Sequence, residues 1–423
     1  MTARLRVVGG RPLRGRVRVP GDKSISHRAL LLAALAGGTS VVRGLSDGDD
    51  VARTRAAIQQ LGAEVDGDRI SGGAARLHEP EDVIDVGNSG TTLRLLAGVA
   101  AAFDWVTFLT GDASIRRRPM ARVAEPLRQM GASVDGRGGG RLPPLVVRGG
   151  GLKGIDYELP IASAQVKGAV LLAGLAAEGE TVVRERVLTR SHTEDLLARA
   201  GADVTVEDGG LTIRVGPSLP LRPFTLDVPG DPSQAAFWVV AACLVPGSAL
   251  VVEDVYVGPA RATFLDVLRR MGADVEVVGT GREVRARAGG VLHGTEMAGD
   301  EIPGLIDEIP VLAVAAACAE GTTVIRDAGE LRVKESDRIT ALATQLSALG
   351  ARVEPRPDGL VIVGRPGRLR GGHADSGGDH RMAMALAVAG LAAPDGETVV
   401  DGWDAVLTSY RRFERDLEAL CGS

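Results

Sequence analysis

Five times along the 423 residues, a Gly-Ala-x-Val tetrapeptide closes one kind of segment and opens another. The first copy is Gly62-Ala63-Glu64-Val65; the others occupy 131–134, 201–204, 272–275 and 350–353, with starts 69, 70, 71 and 78 residues apart. Spacing so even means one structural unit used repeatedly, which confines the chain to a fold of similar modules. Ahead of the first copy, 49–61 places Val51, Ile58 and Leu61 on one helical stripe. Gly62 then suits a left-handed cap, and Val65 begins an alternating segment. A second mark, as in Gly38-Thr39-Ser40-Val41-Val42, recurs from Gly179, Gly247, Gly321 and Gly396, each time reading as a turn into a short strand after an Ala-rich helix. The repeated order is strand, helix, strand, helix, strand, strand, and a mixed α/β architecture follows.

The marks predict about six units. Val19-Pro20-Gly21-Asp22 returns as Val228-Pro229-Gly230-Asp231, 209 positions on, so the expected arrangement is two halves of three units, joined near 12–20 and 225–233. Segments 162–177, 235–245, 309–319 and 380–389 are almost wholly apolar. Helices of that kind belong inside, so each half is expected to wrap strands around a helical core. Aromatic residues make up only 3% of the chain, which leaves Ala, Leu and Val to fill the interior through close backbone approach.

Lys plus Arg total 49 against 54 Asp plus Glu, a formal charge of −5 that gives no general attraction to nucleic acid; any anion site has to be a local concentration of cations. The three cysteines, Cys243, Cys318 and Cys421, lack metal-site spacing and fit core packing in a reducing compartment. No apolar run reaches membrane-spanning length without polar interruption. A soluble cytoplasmic monomer is expected, with no nucleic-acid or membrane partner, no cofactor and no metal.

Several segments carry chemistry. Asp22-Lys23-Ser24-Ile25-Ser26-His27-Arg28 leads from a Pro-Gly turn into an Ala/Leu helix; Ser24 or Ser26 is placed to cap it, and Lys23 with Arg28 at the same end suits a dianion such as phosphate. Gly87-Asn88-Ser89-Gly90-Thr91-Thr92-Leu93-Arg94 lets backbone amides converge before a helix. Arg116, Arg117 and Arg118 precede Pro119 in a loop. Ser163 opens a helix that carries Gln165, and Ser191 opens another. In the second half, Asp307-Glu308 stands before an apolar helix, where burial raises a carboxyl pKa. Lys334-Glu335-Ser336-Asp337-Arg338 puts two cations four apart, on one face if the segment is helical. Asp379-His380-Arg381 feeds directly into the last apolar helix. A salt-laced surface explains the pentad alone equally well, and a simple cap explains Ser191.

Together, these ordered motifs resemble the 5-enolpyruvylshikimate-3-phosphate synthase family over essentially the whole chain. The resemblance implies a two-domain, inside-out α/β barrel-like fold, each domain of three βαβαββ units with buried helices and outer sheets, and the active site in the interdomain cleft. Residues 13–230 would form the N-terminal domain, and 1–12 with 231–423 a discontinuous C-terminal one. Its activity would transfer the enolpyruvyl group of phosphoenolpyruvate to the 5-hydroxyl of shikimate 3-phosphate. Catalysis would fall to Lys23, Asp307 and Glu335. Shikimate 3-phosphate would meet Lys23, Ser24, Arg28, Ser163, Gln165, Ser191, Asp307 and Lys334; phosphoenolpyruvate would meet Lys23, Asn88, Gly90, Arg118, Gln165, Arg338 and Arg381.

Three positions depart from the family pattern: Ala164 where a second serine is frequent, Glu194 where some members have tyrosine, and the surroundings of Ser409, where some have lysine. The related UDP-N-acetylglucosamine enolpyruvyl transferases typically carry a cysteine where this chain has Ala113, and they lack the match at 22–28. A non-catalytic phosphometabolite-binding relative would not need both Asp307 and Glu335.

Overall fold

A computed structural model describes residues 3–258, 260–279, 281–394 and 396–422. The chain divides into two compact units, Gly21–Val228 and the remainder, which comprises the residues up to Pro20 and those from Pro229 on.

Within Gly21–Val228 the same module occurs three times. Strand Ile84–Asp85 runs parallel to Val106–Thr110, which pairs antiparallel with Leu142–Arg148, itself antiparallel to Ser133–Gly136. Strands Asp156–Glu158, Thr181–Arg184, Thr212–Val215 and Val204–Glu207 repeat that pattern. In the third module Thr225–Asp227 lies parallel to Gly38–Arg43, followed by Arg69–Gly72 and Glu64–Asp66. Its first strand therefore comes from the far end of the unit's chain. The inner helices are α1 (Lys23–Leu35), α2 (Gly90–Ala101) and α3 (Ala164–Gly174). All residues of α1 after Lys23 are buried, each large aliphatic side chain adding about 1.5–3 kcal/mol. Close packing of α2 on α3 explains Gly98: a Cβ there would lie 2.2 Å from the Ala169 carbonyl oxygen.

The other unit repeats the scheme with inner helices α4 (Pro232–Leu244), α5 (Ile309–Cys318) and α6 (His380–Ala392). Strand Arg14–Arg18 lies parallel to Ala249–Glu253 in one sheet and Glu296–Met297 beside Gly321–Ile325 in the next. The last sheet has three strands, Gly372–Asp375, Glu397–Asp401 and Arg4–Val8. Residues 13–20 and 229–230, expected with the N-terminal domain, fall in this unit instead. For 13–20 the cause is the Arg14–Arg18 pairing, which carries Val17 and Val19 into the same apolar core as α4, α5 and α6. The repeated Val-Pro-Gly-Asp segments thus mark the places where the chain leaves one unit for the other.

All five Gly-Ala-x-Val glycines adopt positive φ, between 73° and 106°, so each ends an outer helix by the left-handed turn glycine makes at least cost. Burial pushes the Cys243 and Cys318 thiols up to about 12, which makes them inert packing groups. Among the described residues no helix is long and apolar enough to cross a membrane.

Candidate active site

The start of α1 is capped by Asp22, whose side chain accepts from the Ile25 amide at 2.8 Å. Neither Ser24 nor Ser26 serves as the cap expected from the sequence, because a carboxylate two positions before Ser24 takes that amide. Ser26 instead donates to the Asp22 carbonyl at 2.8 Å and accepts from the Ser46 amide at 3.0 Å, tying down the following loop. The site's positive character therefore rests on side chains. Lys23, mostly buried, pairs with Asp50 at 2.9 Å. Arg28 is buried and donates from Nη1 to Ser24 Oγ at 2.7 Å, from Nε to Thr193 Oγ1 at 2.6 Å and from Nη2 to the Ala164 carbonyl at 2.9 Å. The Ala164 departure costs this contact nothing, since the backbone makes it.

Beside Arg28 stand the other expected residues of this unit. Ser163 caps α3, accepting from the Val166 amide at 3.4 Å. Gln165 accepts from Arg94 Nη1 at 2.7 Å and donates to Thr91 Oγ1 at 2.9 Å, so the first turn of α2 fixes its amide. Asn88 donates to Asp112 at 2.6 Å and accepts from Arg118 Nη2 at 3.1 Å. A Cβ on Gly90 would lie 2.7 Å from Arg118 Nη1 and 3.0 Å from Arg94 Nη1. Arg94 thus links Gln165 to the Gly90 turn, and Arg118 links Asn88 to it. Ser191 precedes helix His192–Arg199 without a side-chain capping bond and donates to Asp195 at 2.7 Å; its neighbour His192 meets Ser24 Oγ at 3.0 Å.

The second unit gathers Asp307, Glu335, Arg338 and Arg381. Arg338 is buried and donates from Nε to Asp379 at 2.8 Å and from Nη2 to Glu335 at 2.8 Å. Its Nη1 stands 3.5 Å from Asp307 Oδ1, and Arg381 Nε lies 3.6 Å from the same oxygen. These are ion contacts rather than hydrogen bonds. Burial opposes charge on Arg338, but Asp379, Glu335 and Asp307 more than offset it and hold its pKa above the ordinary arginine value. For Asp379 burial acts upward, and the Arg338 guanidinium outweighs it, so the carboxylate stays ionised. That carboxylate also caps α6 through the Arg381 amide at 2.9 Å.

One expectation needs correction here. Lys334 and Arg338 do not share a helix face: Lys334 ends the short turn Gly329–Val333 in an extended conformation, and Arg338 begins the separate helix Arg338–Ala348. Capping of that helix by Asp337, which accepts from the Thr340 amide at 3.2 Å, forces the break. Of the Asp307-Glu308 pair, Asp307 is flanked by two guanidinium groups. The fully buried carboxylate is Glu308, which accepts from Ser233.

The duplicated Val-Pro-Gly-Asp start has a different fate in this unit. Asp231 caps α4 through the Ser233 amide at 2.8 Å and accepts from buried Arg261 at 2.7 Å, while Arg261 also donates to Ser233 Oγ at 3.0 Å. With Glu308 on the same serine, the cluster is neutralised by its own carboxylates, and only the α1 copy presents cations.

Residues to which the sequence assigned no ligand also hold this geometry: Thr91, Arg94, Thr193, His192 and Asp379. Arg94, His192 and Asp379 stand inside recognised motifs, where position after a glycine turn or at a helix start was their only signal. Thr193 stands at the same helix start as Ser191 and His192, and nothing in the sequence linked it to Arg28. Among the described residues no three His, Cys, Asp or Glu side chains are placed to hold a metal ion.

Comparison with known proteins adds to this geometry. Residues 7–417 match the family model described as EPSP synthase (3-phosphoshikimate 1-carboxyvinyltransferase). The 3-phosphoshikimate 1-carboxyvinyltransferase of Synechococcus sp. (strain JA-3-3Ab) is 53% identical, the match covering 97% of this chain and 95% of that protein. The protein of the same name from Herpetosiphon aurantiacus is 50% identical, covering 95% of each. Among solved structures, EPSP synthase from Acinetobacter baumannii superposes with a TM-score of 0.85 at 39% identity, over 99% of this chain and 98% of that one. The enolpyruvyl transferase NikO from Streptomyces tendae shares the fold, with a TM-score of 0.80 at 22% identity over 99% and 98% of the two chains.

Proposed function

This chain belongs to the EPSP synthase (3-phosphoshikimate 1-carboxyvinyltransferase) family, and we infer from that membership that it transfers the enolpyruvyl group of phosphoenolpyruvate to the 5-hydroxyl of shikimate 3-phosphate. Inorganic phosphate leaves, and the product feeds chorismate and aromatic amino acid biosynthesis.

In this reading Ser24, Arg28, Ser163, Gln165, Ser191, Asp307 and Lys334 hold shikimate 3-phosphate. Asn88, Gly90, Arg118 and Gln165, with Arg338 and Arg381, hold phosphoenolpyruvate, and Lys23 serves both. The chemistry is addition followed by elimination. Protonation of the donor's methylene carbon makes its C2 electrophilic; the 5-hydroxyl attacks C2 and gives up its proton, forming a tetrahedral ketal phosphate. Loss of a methyl proton and cleavage of the C2–O bond to phosphate then rebuild the enol. Asp307 takes the hydroxyl proton, Glu335 delivers and recovers the proton on carbon, and Lys23 stabilises charge on the leaving phosphate.

The observation that carries this reading is the pairing at Arg338. One buried guanidinium binds Glu335 and faces Asp307, and its Nη1 has no hydrogen-bond partner among the described residues. A buried donor in that state favours an anionic ligand, and two carboxylates within its reach supply an acid and a base.

Phosphate release by the purified chain tests the assignment. Release is expected with phosphoenolpyruvate plus shikimate 3-phosphate, and with neither alone; release solely with UDP-N-acetylglucosamine as acceptor would overturn it. We further propose a cytoplasmic monomer, checked by size-exclusion chromatography with light scattering.

A further inference from the structure

Behind the acceptor's phosphate residues lies a buried ion triad that the proposed mechanism does not use. Lys167 on α3 donates to Glu185 at 2.7 Å and to Glu194 at 2.8 Å, and none of the three side chains is more than 3% exposed. Glu185 follows strand Thr181–Arg184 and also accepts from Thr189 Oγ1 at 2.5 Å. Glu194 stands in the first turn of helix His192–Arg199. Its second oxygen, Oε2, is buried without a hydrogen-bond partner among the described residues. Burial holds its carboxyl above the ordinary range; Lys167 pulls it back, and Glu185 adds to the rise.

Two carboxylates on one ammonium make a weak case as a device for stability. Apolar replacement of buried ion groups is often neutral or stabilising, and here one charge is in excess with one oxygen unsatisfied. What the triad does supply is orientation. Lys167 lies one turn beyond Ser163 on the same helix, and Glu194 follows directly after His192 and Thr193. Those two residues meet Ser24 at 3.0 Å and Arg28 at 2.6 Å. Next to Lys167, Gly168 keeps the elements in close contact: a Cβ there would stand 2.9 Å from Thr193 Oγ1 and 3.3 Å from Arg28 Nη2.

We propose that Lys167 and Glu194 are positioning residues for the acceptor: the hydrogen bond between them fixes the start of helix His192–Arg199 on α3, and through Thr193 and His192 sets Arg28 and Ser24 for the phosphate of shikimate 3-phosphate. The proposal rests on the assignment of Ser24, Arg28 and Ser163 to that phosphate. Glu194, read from the sequence as a position where aromatic contact is lost, acts in it from beneath the site.

Steady-state kinetics with both substrates tests it, using the intact chain. Glu194→Ala keeps the Lys167–Glu185 pair and removes the excess buried charge, so the protein is expected to fold. Its KM for shikimate 3-phosphate should rise about tenfold or more, with KM for phosphoenolpyruvate and kcat within about threefold. Glu194→Gln retains the oxygen that Lys167 holds and should return KM for shikimate 3-phosphate to within about threefold of wild type. Equal rises in both KM values, no rise in either, or a Gln variant no better than Ala would overturn the proposal. Should Glu194→Ala not fold, Glu194→Asp, which keeps the charge but shortens its reach, is read by the same criterion. Wild-type turnover of the substrate pair checks the functional assignment separately, so failure of one is distinguishable from failure of the other.

Discussion

Adding one methyl group at Gly90 should damage donor binding while leaving the fold intact. An alanine Cβ would lie 2.7 Å from Arg118 Nη1 and 3.0 Å from Arg94 Nη1, where a relaxed contact is about 3.5 Å or more. Both atoms are the far ends of long side chains, so relief takes the form of a guanidinium shift of about 0.5–1 Å rather than a backbone change. Gly90 is the first residue of α2 and has no positive φ. Alanine is therefore the better helix former there, by up to about 1 kcal/mol. The unfolding midpoint should hold or rise by about 2–4 °C. The cost falls on the site, because Arg118 is moved off Asn88 and off the anion it is proposed to bind. Losing one charge-assisted hydrogen bond costs about 1.5–3 kcal/mol, a rise of about 10- to 150-fold in KM for phosphoenolpyruvate. Ser24 and Arg28 are not among the atoms nearest that Cβ, and only Gln165, held by Arg94, is shared between the two substrates, so KM for shikimate 3-phosphate should rise much less than KM for phosphoenolpyruvate. Phosphate release measured against each substrate, with the other saturating, reads both values. An unchanged KM for phosphoenolpyruvate, or equal losses for both substrates, would refute the reasoning.

Asp307→Ala and Lys23→Ala should each lower kcat by about 10²- to 10⁴-fold with circular dichroism unchanged; near-wild-type turnover would remove those roles. Arg261→Met strands Asp231 and Glu308 as buried carboxylates and should cost about 3–5 kcal/mol in urea unfolding, whereas a loss under about 1 kcal/mol would show the cluster to be dispensable. His27 is buried, and burial together with Lys23 and Arg28 holds its imidazole well below the ordinary histidine value. The unfolded chain takes up a proton near about pH 6.5 and the folded chain does not. Stability present above that pH is therefore lost as pH falls, by up to about 1.4 kcal/mol per unit. His27→Asn should flatten that slope between pH 6.5 and the folded pKa, and an unaltered slope would assign the acid sensitivity elsewhere.

Modular architecture was legible in the sequence because a glycine that must turn left-handed leaves the same mark each time. Gly62, Gly131, Gly201, Gly272 and Gly350 all do so in the structure. The boundary near residue 13 was misplaced because strand pairing is non-local: nothing in Arg14–Arg18 itself shows that its partner is Ala249–Glu253. Charge-rich motifs at helix starts revealed Lys23, Arg28, Arg118, Arg338 and Arg381 as site candidates. Their partners stayed hidden where they came from other elements, as Thr193 does for Arg28 and Asp379 for Arg338. Local pattern also misled twice, over the serine caps and over the shared face of Lys334 and Arg338. Each time a nearby aspartate took the capping amide.

Proton traffic at carbon tests the account most directly. When the wild-type chain turns over phosphoenolpyruvate and shikimate 3-phosphate in deuterium oxide, a transient methyl group forms only if the methylene is protonated before phosphate leaves. Proton and deuterium NMR should then find deuterium in the vinyl positions of the enolpyruvyl product. Product accumulating with phosphate release but no deuterium on that carbon would contradict the mechanism assigned to Asp307 and Glu335.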